Sequence, residues 1–192
     1  MQTLLNHDKP RLYRPRPVRP RLPHPCPVRR AMNWRLSHRA DPNGVALADR
    51  HYNRQTIGAP QFVPPGRCLV LITDGALWVT SWPYAEYVKH DWPGAWINSL
   101  FRNESGVLSS QLIIEAVAAT RYHWPVPERG LITFVDSNAV RKKRDPGRCY
   151  RRAGFEHVGF TKGGLYAFQM KEDKMPAPSM AIGSTINLFG AP

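Results

Sequence analysis

His51 and Tyr52 stand side by side, pairing an imidazole that can hold or move a proton near neutral pH with a phenol that can serve as acid, stacking surface or metal ligand. Two packed, hydrogen-bonded helix residues would explain the same pair. Asp136 closes the apolar run LITFV, where an aspartate either caps the following turn or accepts a proton from a reacting amine. Arg102, Asn103 and Glu104 follow another apolar run, and Ser109 and Ser110 precede the periodic stretch QLIIEAVAAT. A guanidinium beside a helix start is a natural clamp for a carboxylate or phosphate, although Arg102 could equally pair with Glu104 in solvent. Arg141, Lys142, Lys143 and Arg144 form a basic run shortly after Asp136, suited to a phosphate backbone and otherwise a solvated face.

The elements that would position these groups are legible in outline. Residues 45–55 read as a helix with Val45, Ala48, His51 and Tyr52 at helical spacing, ended before Gly58-Ala59-Pro60. Residues 68–73 and 76–82 flank Asp74-Gly75, the turn of a two-residue hairpin. Residues 95–101 form a further strand. Ser109 then caps a helix to about Trp124, with Leu112, Ile113, Ala116 and Val117 inward and Leu108 stapled onto Ile113. Residues 131–135 are a strand buried on both faces. Asp145-Pro146 opens a short helix that Gly154 closes, and residues 155–160 and 165–170 complete the sheet. One crossover helix between residues 95–101 and 131–135 makes those strands parallel neighbours. Ligands of open α/β sheets bind beyond the carboxyl ends of such strands, where Arg102, Asn103, Glu104, Ser109, Ser110 and Asp136 gather.

The ends differ from the middle. Of a formal charge of +13, +9 lies in residues 1–40, where Lys9 and nine arginines face Asp8 alone. Seven prolines from Pro10 to Pro27 make residues 1–32 an extended or disordered basic arm that tracks phosphates, or else sequence upstream of a start at Met32. Residues 33–170 form one domain, and residues 171–192 read as a loosely attached tail. A pI near 10.2 makes nucleic acid the first partner to test. No apolar run reaches the length of a membrane span or a secretory signal, which places the protein in the cytoplasm. Cys26, Cys68 and Cys149, odd in number and far apart, read as reduced thiols. The composition leaves the oligomeric state open, a homodimer being one option.

The element order, and above all RDPGRCYRRAGFEHVGFTKGGLYAFQM from Arg144 to Met170, resembles the closing helix and strands of the GNAT acyltransferase fold. HYNRQTIGAPQFVPPGRCLVL, SLFRNE, the serine-started helix and TFVD are similar, more narrowly, to the Mom DNA-modification proteins of Mu-like bacteriophages. The resemblance covers about residues 33–170. It implies an α/β domain whose mixed, mostly antiparallel sheet has a central parallel strand pair, flanked by helices. It further implies an enzyme that puts a carbamoylmethyl-type group on the exocyclic amine of adenine in double-stranded DNA, shielding phage DNA from host restriction, with His51, Tyr52 and Asp136 as catalytic residues. The adenine amine is inaccessible inside a stacked duplex, so such an enzyme flips the base onto aromatic rings. Tyr84, Tyr87 and Trp92, the loop members of a dense set with Trp78, Trp82 and Trp96, are the candidates, with the run 141–144 on the backbone. One departure bears on the donor. The usual acyl-CoA pyrophosphate loop reads Q/R-x-x-G-x-G/A, whereas Arg102-Asn103-Glu104-Ser105-Gly106-Val107 has serine and valine where small residues belong, which argues against acetyl coenzyme A. Iron held by His51 and Asp136 is a weaker version, since no HxD or HxxxH spacing backs it. Two rival readings are an acyl-CoA N-acetyltransferase acting on a small amine or protein, and a non-catalytic basic DNA-binding protein.

Overall fold

The computed structural model describes residues 32–140 and 145–184. The basic arm before Met32, Cys26, the run Arg141, Lys142, Lys143 and Arg144, and residues 185–192 lie outside the described residues.

Seven strands form one sheet: β1 (Arg35–Ser37), β2 (Arg67–Thr73), β3 (Ala76–Trp82), β4 (Trp96–Asn103), β5 (Leu131–Val135), β6 (Glu156–Phe160) and β7 (Tyr166–Met170), in the order β1-β2-β3-β4-β5-β7-β6. Only β4 and β5 pair in parallel among these strands, joined through helix α2 (Ser109–His123). The sheet is therefore mixed α/β, with the expected hairpin at Asp74-Gly75, where Thr73 pairs with Ala76 and Gly75 takes φ +80°.

Alternation along β2 and β3 sorts side chains to two apolar layers. Leu69, Leu71 and Trp78 join Leu112, Ile113, Ala116 and Val117 of α2, while Val70, Leu77 and Val79 meet Leu47 and Ala48 of α1 (Pro42–Asp49). A short helix, α3 (Arg148–Arg152), brings Tyr150 into the first layer.

Several boundaries correct the sequence reading. Helix α1 starts and ends earlier than residues 45–55, because Asp41 caps it by accepting from the N–H groups of Asn43 and Gly44 at 2.8 and 3.3 Å, with Pro42 at the first position. His51 and Tyr52 consequently sit in the turn after the helix. The second Asp-Pro pair does not act this way: α3 begins at Arg148 behind the left-handed Gly147, and Asp145 instead pairs with Arg151. Leu108, not Ser109, occupies the cap position of α2 and is 67% exposed, so no staple onto buried Ile113 is made.

Residues 171–184 are docked, not loose. Met175 and Ala181 are buried, Ile182 exchanges backbone hydrogen bonds with Trp34 and Leu36, and Arg121 donates to the carbonyls of Met175 and Pro176.

Gly130 fixes the entry to β5. Its φ is +62°, its carbonyl accepts from Trp96 at 2.9 Å, and a Cβ there would lie 2.2 Å from the Met170 carbonyl oxygen. Gly130→Ala is expected to cost about 3 kcal/mol, read as a fall in Tm of about 10 °C by calorimetry.

Candidate functional site

Parallel pairing of β4 with β5 runs only through Trp96–Leu131, Ile97–Ile132 and Asn98–Thr133. Beyond that point β4 follows β3 as far as Asn103, and β5 follows β7. The two central strands part, and a bulge places Ser99 between the partners of Val79 and Thr80. Asn98 sits at the vertex with its polar capacity filled: its Nδ2 donates to the carbonyls of Val79 and Leu100, and its Oδ1 accepts from Thr133 and from the Tyr150 hydroxyl at 2.8 Å. Burial pushes the Tyr150 phenol far up, so it stays protonated and holds this bond as a donor.

Two cavities flank the split. The first, of about 560 Å³, is lined by His51, Tyr52, Ser109, Tyr150, Arg148 and Arg152 among others. The second, of about 760 Å³, lies under the 53–65 loop and reaches Asp136. Tyr52, Asn53, Asn98, Ser99, Leu100 and Phe134 line both.

His51 and Tyr52 stack with ring centroids 4.4 Å apart. Nδ1 of His51 accepts from the Asn53 N–H at 3.2 Å, so in the neutral ring the hydrogen sits on Nε2. Burial, assisted by the nearby Arg102 charge, holds the imidazole down to about 4. At neutral pH His51 is a neutral N–H donor, not an imidazolium acid. Burial also raises the Tyr52 phenol, against the opposing effect of the Asp136 backbone N–H that meets it and with the Asp136 charge adding to the rise. Tyr52 thus touches the third candidate, Asp136. That carboxylate serves as a turn cap through Oδ1, accepting from Asn138 and Ala139 at 2.8 and 3.3 Å, while Oδ2 has no hydrogen bond among the described residues. Capping and an open carboxylate oxygen coexist in one side chain.

The remaining candidates divide. Ser109, Ser110 and Asn103 line the first cavity. Asn103 organises the loop before α2, donating to the Val107 carbonyl and Ser109 hydroxyl and accepting from Ser105. Arg102 and Glu104 turn away from an anion-clamp role. Arg102 and Arg50 both bind Glu104, which they hold down to about 2, and Arg102 also donates to the Arg50 carbonyl. Tyr84 and Tyr87 are 75% and 74% exposed, pack edge to face, and line neither cavity. Trp92 packs against His90 and Phe134, behind a residue of the cavity wall. A comparison with the profiles of known protein families, with curated proteins and with solved structures found no match. Among the described residues no three of His, Cys, Asp and Glu come together, and His51 and Asp136 line different cavities.

Sequence reasoning missed Asn98, Tyr150, Arg148 and Arg152. Asn98 carried a signal, an amide inside the apolar run WINSLF, and the two arginines are one helical turn apart at i and i+4. Tyr150 carried none beyond its aromatic type.

The His51 shift has a consequence for stability. Unfolded, the ring titrates near 6.5; folded, near 4. Between those values the unfolded chain binds more protons, so the contribution is complete above about pH 6.5 and is lost as pH falls toward 4. Discounted for partial exposure, the loss amounts to about 2 kcal/mol. His90 and His123, also held down by burial, add with the same sign. Denaturant titrations of the wild type and His51→Gln at pH 7.5 and 4.5 are expected to show a smaller acid loss in the variant.

Proposed function

We propose that this chain is a GNAT-like transferase, akin to the Mom proteins of Mu-like phages, that joins a small carbon group to the exocyclic amine of adenine in double-stranded DNA. The observation that carries this reading is the meeting of His51, Tyr52 and Asp136, from segments far apart in sequence, at the point where β4 and β5 separate. In this reading the adenine N6 forms a bond to an electrophilic carbon of the donor. The bond from that carbon to its leaving group breaks, the leaving group takes the electron pair, and the N6 proton passes to Asp136. His51, through Nε2–H, and Tyr52, through its protonated hydroxyl, donate hydrogen bonds to the developing negative charge on the donor.

A charge of +13 supports a polyanionic partner. Arg148 and Arg152 add positive charge at the first cavity, and the 141–144 run follows Asp136 in sequence. The loop before α2 supports a donor other than acetyl coenzyme A, since three of its amides are already used: Glu104 donates to the Gly75 carbonyl, Ser105 to Asn103 and Val107 to the Ser105 hydroxyl. Among the described residues no helix is long and apolar enough to cross a membrane, and we place the activity in the cytoplasm of the host cell.

Plasmid from bacteria expressing the chain tests the reading. Resistance to restriction enzymes whose sites contain adenine, with normal cleavage at sites read only through guanine and cytosine, is the expected result. Complete cleavage at every site, with folded protein present, would overturn it.

A further inference from the structure

The two cavities differ in chemistry. His51, Arg148 and Arg152 line the first and not the second; Asp136 lines the second and not the first. Between them stands a shared wall that includes Tyr52, Ser99 and Phe134. The other carboxylate at either cavity, Asp145 in the first, is paired with Arg151, whereas Oδ2 of Asp136 has no hydrogen-bond partner among the described residues. An amine that must lose a proton as it attacks belongs beside the open carboxylate.

The second cavity also has the groups to hold a flat, hydrogen-bonding ring. Gln55 and Gln61 line it, and neither carboxamide has a hydrogen-bond partner among the described residues. A carboxamide presents an acceptor and a donor side by side, the pair that matches an adenine N6–H and ring nitrogen. Phe134, Pro64 and Tyr52 supply flat apolar surface in the same lining. Its volume of about 760 Å³ lies within the roughly 300–1,000 Å³ of small-ligand sites.

The loop that carries both glutamines is held in place. Arg54, its side chain only 9% exposed, donates to Asp49 Oδ1 at 2.7 Å and to the carbonyls of Ala59 and Gln61 at 2.6 and 2.9 Å. Asp49 Oδ2 in turn accepts from the Gly58 N–H at 2.9 Å. Arg54 thus ties down Ala59 and Gln61, and Asp49 ties down Gly58, before any ligand arrives, which lowers the ordering cost of binding.

We propose that the cavity under the 53–65 loop receives the extruded adenine, with Gln55 and Gln61 reading its edge and N6 turned to Asp136, while the donor occupies the first cavity. This assignment rests on the adenine-modification reading above. One N6 hydrogen goes to a glutamine oxygen and the other to Asp136, so recognition and proton removal do not compete for the same atom.

The full chain is titrated with a pyrimidine oligonucleotide carrying one central adenine and with the same strand abasic at that position. The wild type is expected to bind the adenine strand at least tenfold more tightly. In Gln55→Ala/Gln61→Ala that preference disappears while affinity for the abasic strand is unchanged, and Ser110→Ala, at the first cavity, keeps the preference. Both glutamines are exposed and their carboxamides have no partner among the described residues, so the double variant is expected to fold, with Tm as the check. A wild type without the preference, or a double variant that keeps it, overturns the proposal. Cellular modification separates this from the broader reading. A wild type that modifies DNA together with a double variant that modifies it equally well removes the base pocket and leaves the transferase, whereas an inactive wild type removes the transferase.

Discussion

Asp136→Asn is expected to slow adenine modification by about 10²–10⁴-fold, the range for loss of a positioned general base, while leaving Tm within about 2 °C of the wild type. The asparagine oxygen can still accept from Asn138 and Ala139, so the turn cap survives and only the proton acceptor is lost. That separation matters because Asp136→Ala removes the cap as well and confounds the two roles. Initial rates of modified-adenosine formation on a defined duplex provide the measurement. Raising the pH from 7 to 9 should not restore the asparagine variant, since it has no group to ionise. A variant with wild-type rate would reduce Asp136 to its cap.

The second large effect concerns the vertex of the split. Asn98→Ala should cost about 3 kcal/mol in denaturant unfolding, because it removes the acceptor shared by the buried Tyr150 hydroxyl and Thr133 and leaves the Leu100 carbonyl without its amide partner. It should also lose activity out of proportion to its folded fraction, since Asn98, Ser99 and Leu100 line both cavities. A loss below about 1 kcal/mol would show that water replaces the amide and that the strands part for another reason.

What could be read from the chain beforehand follows the range of the interactions involved. The hairpin at Asp74-Gly75, helix α2 and strand β5 depend on local signals, namely turn chemistry and hydrophobic period, and their positions agree with the structure within a residue or two. The crossover logic then yields the parallel β4–β5 pair and the end of the sheet where polar residues collect. Local signals also misled. Both Asp-Pro pairs have the same capping chemistry, yet only Asp41-Pro42 starts a helix, since Asp145 finds Arg151 instead. The C-terminal segment has no period, and what docks it is long-range: the Ile182 backbone against Trp34 and Leu36, and the Arg121 guanidinium on two carbonyls.

The site shows the same division. His51, Tyr52 and Asp136 stood out by chemical type but became candidates for catalysis only through the resemblance, and their convergence depends on the turn after α1 reaching the end of β5. Arg102 illustrates the opposite outcome, because its two-residue neighbour Glu104 and the Arg50 carbonyl take up the guanidinium before any anion can. The exposed pair Tyr84 and Tyr87 lines neither cavity, whereas Tyr52, Phe101, Phe134 and Tyr150 are among the rings that do. No composition argument separates those two aromatic sets. Long-range placement does: register brings Phe101 of β4 and Phe134 of β5 to the gap, while the turn after α1 and helix α3 deliver Tyr52 and Tyr150.

The most direct measurement is the nucleoside mass profile of DNA from bacteria expressing the chain, digested completely and compared with DNA from cells expressing Asp136→Asn at equal level. A deoxyadenosine of increased mass, present with the wild type and absent or strongly reduced with the variant, is the predicted result. Identical, unmodified deoxyadenosine from both, with the wild-type protein soluble and folded, would contradict the account and leave a basic DNA-binding protein in its place.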